Sequence, residues 1–490
     1  MPVFPVPDFM PALPEMFLGV AALALLLLGV HQGDRAAREI AWLSVGALVV
    51  DMALVLAPLA SHGPAREVSF YGMFVTDGFG GYAKLLVLAG SALSLVIALS
   101  YNDRQGLARP EFATLVLLGT VGMLLMISAN DLISLYLGLE LQSLALYVLA
   151  SFARDSERST EAGLKYFVLG ALASGMLLYG ASMVYGFAGT TNFDVMGKLF
   201  ANGGTVPVGL VIGIVFIAVG LAFKCSAVPF HMWTPDVYEG APTPITAFFS
   251  IAPKTAAIVL FVRVMVGPFG GLVAEWRQII WFISAASMIL GSFAAINQRS
   301  VKRLMAYSSI GHAGYALIGL AAGNAAGVRG VLVYMAIYLV MNVGTFGVIL
   351  CMRRDGHMIE EIADLAGLSR TRPGLALAVG IFMFSMAGIP PMAGFFAKVY
   401  VFLAAIDTGL PSLYVLAVIG VLSSVVGAYY YLRIVKLMYF DEPAPAFDRP
   451  AGRELQAVLV LTAFVVLFFF VYPGFIVDGA DAAAAALFAG

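Results

Sequence analysis

The chain has 490 residues, of which 61% are hydrophobic, 12% aromatic and only 11% charged, with 27 Lys+Arg against 29 Asp+Glu and a formal net charge of -2. A soluble enzyme carries about 25% charged residues, and disordered or nucleic-acid-binding chains carry a strong charge excess, so those classes are excluded. What remains is an integral membrane protein, for which the useful unit of length is the roughly 20 apolar residues that cross a bilayer once.

Apolar runs bounded by Gly, Pro and charged residues predict fourteen transmembrane helices, at 12–30, 40–60, 77–100, 110–128, 131–151, 161–187, 206–227, 242–267, 277–297, 303–322, 329–352, 374–402, 411–438 and 455–476. The start, MPVFPVPDFMPALPEMF, has acid and proline where a signal peptide has Lys or Arg, so the first run is read as a retained helix. No stretch has the composition of a linker. The expectation is a single all-α polytopic membrane domain.

Loop charges test this threading independently, because positively charged loops stay cytoplasmic. The odd-numbered loops carry sixteen Lys and Arg, from Arg35 and Arg38 in the first to Arg449 and Arg453 in the last; the even-numbered loops carry four, Arg66, Lys198, Arg277 and Arg329. Both termini are therefore expected on the periplasmic side. The other seven cations, Lys84, Lys165, Lys224, Lys254, Arg263, Lys398 and Arg433, fall in or at the ends of apolar runs. Most of these are lysines, and a buried lysine can give up its proton whereas arginine keeps its charge. A device that loads and unloads protons inside the membrane needs the first kind.

Glu140 lies about nine residues into the fifth helix, hence about 14 Å deep. An intramembrane carboxylate usually marks an ion or proton path; a packing salt bridge is the structural alternative. Lys165, near the start of the sixth helix, is the expected partner. Lys224 and Lys254 flank a proline break at Pro229, which should end the seventh helix and open a polar cavity. Lys398 follows a second break, at Gly388, Pro390, Pro391 and Gly394 in the twelfth helix. Snorkelling is the alternative for a terminal lysine.

The two breaks lie five helices apart, an odd number, which is the signature of an inverted repeat. The expected division is 1–108 (helices 1–3), 109–268 (helices 4–8), 269–440 (helices 9–13) and 441–490 (helix 14 and tail). His312 could relay protons or simply pack helices together, and His231 beside the Pro229 break could face a water cavity. Lys84 reads as a snorkelling anchor, and Arg263 and Arg433 as interface anchors. Asp51 is expected to pair with a neighbour or a partner subunit. Two cysteines, Cys225 and Cys351, are too few for an iron–sulfur cluster held by four thiolates and sit in no zinc pattern.

With PFHMWTPDVYEGAPTP at 229–244 and DLAGLSRTRP at 364–373, the chain resembles the antiporter-like membrane subunits of bacterial respiratory complex I (NADH:quinone oxidoreductase). Among them it is most similar to the subunit N family, the counterpart of mitochondrial chain 2. The resemblance implies a proton-translocating subunit driven by quinone reduction elsewhere in the complex. It also implies FMN, iron–sulfur clusters and quinone on partner subunits and none here, with subunit M, the small membrane subunits and lipids as neighbours, and no nucleic acid. It carries over a Glu140–Lys165 ion pair, Lys224 as the broken-helix lysine, Lys254 as the central connection, Lys398 as the lysine of the other half-channel, and His231 and His312 lining a hydrated axis. The competing readings are an Mrp-type cation/proton antiporter without redox coupling, and a structural subunit whose charges only pack helices.

Overall fold

The computed structural model describes residues 7–62, 66–201, 206–448 and 452–489; Arg449, counted above with the loop cations, lies outside them. In chain order the helices are α1 (Leu13–Gln32), α2 (Ala37–His62), α3 (Gly78–Gln105), α4 (Pro110–Ile127), α5 (Leu132–Ala150), α6 (Glu157–Ala188), α7 (Phe193–Ala201), α8 (Val208–Lys224), α9 (Thr234–Gly240) and α10 (Thr243–Val266). There follow α11 (Val273–Ile296), α12 (Val301–Ala322), α13 (Ala325–Ile349), α14 (Leu368–Thr371), α15 (Pro373–Ala387), α16 (Ala393–Ile406), α17 (Pro411–Phe440), α18 (Arg453–Phe468) and α19 (Gly474–Phe488). Two short hairpins pair Glu67–Ser69 with Phe74–Thr76 and Arg353–Arg354 with His357–Met358.

Every predicted span is present. Among the described residues ten helices have the length and apolar composition to cross a membrane. The other four spans depart for visible reasons. The seventh is the short α8, which ends at Lys224, with α9 following beyond the Pro229 break, and the twelfth is divided into α15 and α16. The tenth, α12, carries Ser308, Ser309 and His312 on one side. The fourteenth was expected to run unbroken to 476 but stops at Phe468, and α19 starts after Pro473, which has no N–H to continue a helix. The amphipathic α7 was not foreseen.

Helix starts are set by side chains that take the orphan amides of the first turn. Asp77 accepts from Gly80 N–H at 2.7 Å, Asp131 from Ile133 at 2.7 Å and Asn324 from Gly327 at 2.8 Å. Close crossings use small residues: a Cβ on Gly122 or Gly138 would strike the facing backbone at Gln142 or Met126, which locks α4 against α5. At the centre lie α10 and α13, buried along almost all of their apolar length, whereas α1, α2 and α17 are mostly exposed on the outside of the bundle. A helix apolar all round belongs in a core, so whatever polar groups α10 and α13 carry sit at the heart of the protein.

The first three helices revise three expectations. Lys84 does not snorkel: it is 3% exposed and pairs with Glu15 of α1 at 2.6 Å. Arg263 is no surface anchor either. Its guanidinium forks onto Asp77, with Nη1 to Oδ2 at 2.9 Å and Nη2 to Oδ1 at 2.8 Å, and both side chains are buried. Asp77 thus caps α3 and ties it to the end of α10 in one stroke. Asp51 is fully buried and has no hydrogen-bond partner among the described residues. Arg433 fits its anchor reading, donating to the Ile296 carbonyl at 3.2 Å from an exposed position.

Breaking a buried ion pair by removing one partner costs about 3–5 kcal/mol, because the other charge is left unpaired. Asp77→Ala is therefore expected to lower the thermal transition of the detergent-solubilised protein clearly, with the Asp77→Ala/Arg263→Met double variant less affected than the single. An unchanged transition in Asp77→Ala would show that the fork contributes nothing to α3–α10 docking.

Candidate functional site

The first polar cluster forms where α5, α6 and α8 meet. Glu140 and Ser143 are one helical turn apart on α5. Ser174 of α6 donates a hydrogen bond to Glu140, and Lys224, the last residue of α8, donates to Ser143 Oγ at 2.7 Å. The same ammonium lies 3.4 Å from the Tyr147 hydroxyl and 5.6 Å above that ring. Glu140 and Lys224 therefore meet at one site, where the Ser143 hydroxyl accepts from Lys224 and donates to the Leu139 carbonyl.

Lys165 is not part of it. Its ammonium binds Asp236 of α9 at 2.7 Å and Glu161, one turn earlier on α6, at 2.7 Å, and its side chain is 40% exposed. The expected Glu140–Lys165 pair is absent because Glu140 faces Ser174, nine residues further along α6, about 13.5 Å of helix rise from Lys165. Arg303 of α12 completes a separate network, reaching Asp236 and Glu239 at 2.9 Å each.

The seventh-span break leaves backbone groups without helical partners, and these are answered by side chains, as irregular backbone at membrane depth requires. Trp233 Nε1 donates to the Phe223 carbonyl at 3.0 Å, and Val228 N–H to Ser287 Oγ at 2.8 Å. His231 lies in this break, half-buried, with Nδ1 buried and unpartnered among the described residues. Among the described residues no hydrogen bond joins it to Lys224, Lys254 or Lys398.

Lys254, on the central α10, is 2% exposed and donates to the hydroxyl and, at 3.3 Å, the carbonyl of Ser309 on α12. The Tyr338 hydroxyl of α13 also donates to Ser309 Oγ, at 2.8 Å. With two donors taken, the Ser309 proton is free to point at Tyr238, whose hydroxyl lies 3.5 Å away. One turn on, His312 is held at both ring nitrogens: Nδ1 to the Tyr334 hydroxyl at 2.6 Å and Nε2 to that of Tyr431 at 3.2 Å. Tyr431 in turn meets Ser308 at 2.5 Å. A neutral imidazole donates at one nitrogen and accepts at the other, so a tautomer change here transfers a proton between the Tyr334 and Tyr431 sides.

Lys398 closes the line. Where α15 stops, the last carbonyls have no intrahelical partner and the helix dipole is negative. Lys398 donates to Met386 O at 3.1 Å, Ala387 O at 3.0 Å and Ser424 Oγ of α17 at 2.7 Å, and its ammonium sits 4.9 Å above the Tyr315 ring. Gly388 makes this possible: its φ of +84° suits glycine, and a Cβ there would lie 3.0 Å from the Lys398 chain.

Of the seven sequence-predicted residues, Lys224, Lys254, His312 and Lys398 are buried in one line and Glu140 is half-buried at its Lys224 end, while Lys165 and His231 fall beside it. Sequence reading missed the tyrosines between them. Ser308, His312 and Tyr315 recur at helical spacing on α12, as do Tyr334 and Tyr338 on α13, and such a polar stripe on an apolar helix was the available signal. Asp236 also went unnoticed, although it stands inside PFHMWTPDVYEG.

The family model for the transmembrane region of NADH:quinone oxidoreductase and Mrp antiporters matches residues 129–427, which hold the whole line. An NADH-quinone oxidoreductase subunit N of Rhodospirillum rubrum is 59% identical over 97% of both chains, and one of Paramagnetospirillum magneticum 56% identical over 98% of both. A chain of the respiratory complex I of Thermus thermophilus with bound aureothin superimposes with a TM-score of 0.81 at 31% identity, covering 96% of this chain and 100% of that one. A chain of the Mrp complex from Dietzia shares the fold, with a TM-score of 0.83 at 23% identity over 98% of both. The chain belongs to the antiporter-like membrane subunits of NADH:quinone oxidoreductase, in the subunit N family, and its place is among the other membrane subunits of that complex.

Proposed function

We propose that this subunit translocates protons along the line Glu140, Lys224, Lys254, His312 and Lys398, driven by quinone reduction on partner subunits that also hold the redox groups. The observation that carries the reading is the bonding of the lysines. Lys224, Lys254 and Lys398 are each at most 7% exposed, and their hydrogen bonds go to hydroxyls and carbonyls. A lysine with neutral partners can take or release a proton without breaking an ion pair, and arginine in its place could not.

Each residue then has a step. Glu140, one turn from the Ser143 that binds Lys224, favours the proton on Lys224 when it is ionised and ceases to do so when neutralised. A proton released by Lys224 passes Cys225 toward Lys254, with internal water bridging the interval. From Lys254 the hydroxyls of Ser309 and Tyr338 and the His312 relay lead toward Lys398. Moving one charge against 100 mV costs about 2.3 kcal/mol, so every step needs a partner ready to take the proton.

The division into two repeats, helices 4–8 and 9–13, is supported by a shared arrangement: each break lysine sits over a tyrosine of the second helix in its half, Lys224 on Tyr147 of α5 and Lys398 on Tyr315 of α12. A cytoplasmic setting for the odd loops, with both termini periplasmic, is supported by Arg109, Arg154, Arg158 and Lys302, which line one cavity of about 650 Å³. Lys165 and His231 are assigned to anchoring the α6–α9–α12 network and the break, outside the path.

The complex carrying this chain, reconstituted in vesicles, is expected to pump protons on NADH oxidation at the same rate in sodium-free medium. Glu140→Gln should lower pumping several-fold while Lys165→Ala lowers it much less. A sodium requirement would move the assignment to cation/proton exchange, and equal effects of the two variants would remove Glu140 from its place beside Lys224.

A further inference from the structure

A second set of buried charges lies outside this line, in the first three helices. Glu15 of α1 and Lys84 of α3 form their ion pair at 2.6 Å with both side chains 3% exposed. Asp51 of α2 is 0% exposed, and neither carboxylate oxygen has a hydrogen-bond partner among the described residues. α2 packs against α1 and α3, which carry Glu15 and Lys84, the charged groups they bring toward Asp51. From α4, which also packs against α2, the only ionisable residue is Glu111, in the first turn at the other end of that helix. Asp77 beyond Lys84 is committed to Arg263.

The charge count does not balance: two carboxylates face one ammonium. A fully buried carboxylate without a donor is costly as an ion, and Lys84 is already matched by Glu15. One additional proton makes the set neutral, and Asp51 is the group without a competing partner to hold it. Access is built in. A cavity of about 380 Å³ runs from the exposed Glu67 past Thr76 and Asp77 to Lys84, with Val55, one turn from Asp51 on the same helix, in its wall. Lys84 therefore belongs both to the cavity and to the buried cluster.

We propose that Glu15, Asp51 and Lys84 form a proton-exchange site in the N-terminal three helices, with Asp51 as the group that binds and releases the proton and the cavity as its route to the face where the chain begins. Binding converts the Asp51 carboxylate to the acid and release restores it; no electron or other ion takes part. The Glu15–Lys84 pair holds the balancing charges in place. The site stands apart from the line through Lys224 and Lys398, and its failure would leave that reading untouched.

Infrared difference spectra of the reconstituted complex, recorded across pH steps in H2O and D2O, test the assignment. The wild type is expected to show a protonated carboxyl C=O band that changes amplitude with pH, shifts in D2O and is lost in Asp51→Asn. Lys84→Met, which leaves Glu15 without its cation, should add a second such band. If Asp51→Asn assembles poorly, Asp51→Glu should retain the band at a shifted frequency. A spectrum unaltered by Asp51→Asn or by Asp51→Glu, or a band insensitive to both pH and D2O, would reduce the cluster to fixed packing charges and overturn the proposal.

Discussion

Lys224→Ala and Lys398→Ala are each expected to reduce proton translocation by about a hundredfold through this subunit while the complex still assembles. The magnitude follows from what alanine leaves behind. A charge crossing an apolar gap at mid-membrane costs about 2.5–3.5 kcal/mol on insertion scales, and each 1.36 kcal/mol in a barrier is a factor of ten. Removing Lys224 takes one donor from Ser143, whose hydroxyl keeps its bond to the Leu139 carbonyl, and removing Lys398 takes the donor from the Met386 carbonyl while Ser424 still reaches that of Ala387. Neither loss dislocates a helix crossing, since α8 and α16 are also held by apolar contacts along their length. The check is proton uptake into vesicles measured beside NADH oxidation. If both variants pump normally, the buried lysines are packing elements and the line is not a path.

Much of this arrangement was legible in the sequence because its signals are local. Span length, Pro229, and the Gly388–Gly394 run each act within a few residues, so helices and breaks emerged close to their observed places. Pairings were less accessible. Whether Glu140 meets Lys165 or Lys224 depends on the relative heights of three helices, and the sequence does not reveal that Glu140 stands level with Ser174. Lys84 was misread for a similar reason, as its partner Glu15 is far away in the chain and hidden near a proline-rich start. The tyrosines escaped because a hydropathy pattern counts their rings and ignores their hydroxyls, although the Tyr338 hydroxyl meets Ser309 beside Lys254 and those of Tyr334 and Tyr431 hold His312. The helix Gly474–Phe488 was missed because its alanine-rich run is short and only moderately apolar.

The centre of the line gives the sharpest separation between charge and proton transfer. Lys254→Arg keeps a cation on α10, whereas Lys254→Met keeps only the bulk of the chain. If Lys254 serves as a fixed charge, arginine should rescue pumping and methionine should not. If it must take up and release a proton, both should fail, because a guanidinium stays protonated in proteins. The second outcome is expected, with pumping down at least tenfold in each variant. The geometry supports it: the ammonium is held by the hydroxyl and carbonyl of Ser309, with no carboxylate paired to it among the described residues to balance a permanent charge, and a planar guanidinium offers no proton for the Ser309–Tyr338 chain to receive. Ser309→Ala is the companion measurement. It removes the hydroxyl acceptor, keeps the backbone carbonyl and leaves Lys254 in place, so a matching loss of pumping locates the step in the hydroxyl chain, while near-normal pumping in Ser309→Ala would place the proton's onward route on water alone.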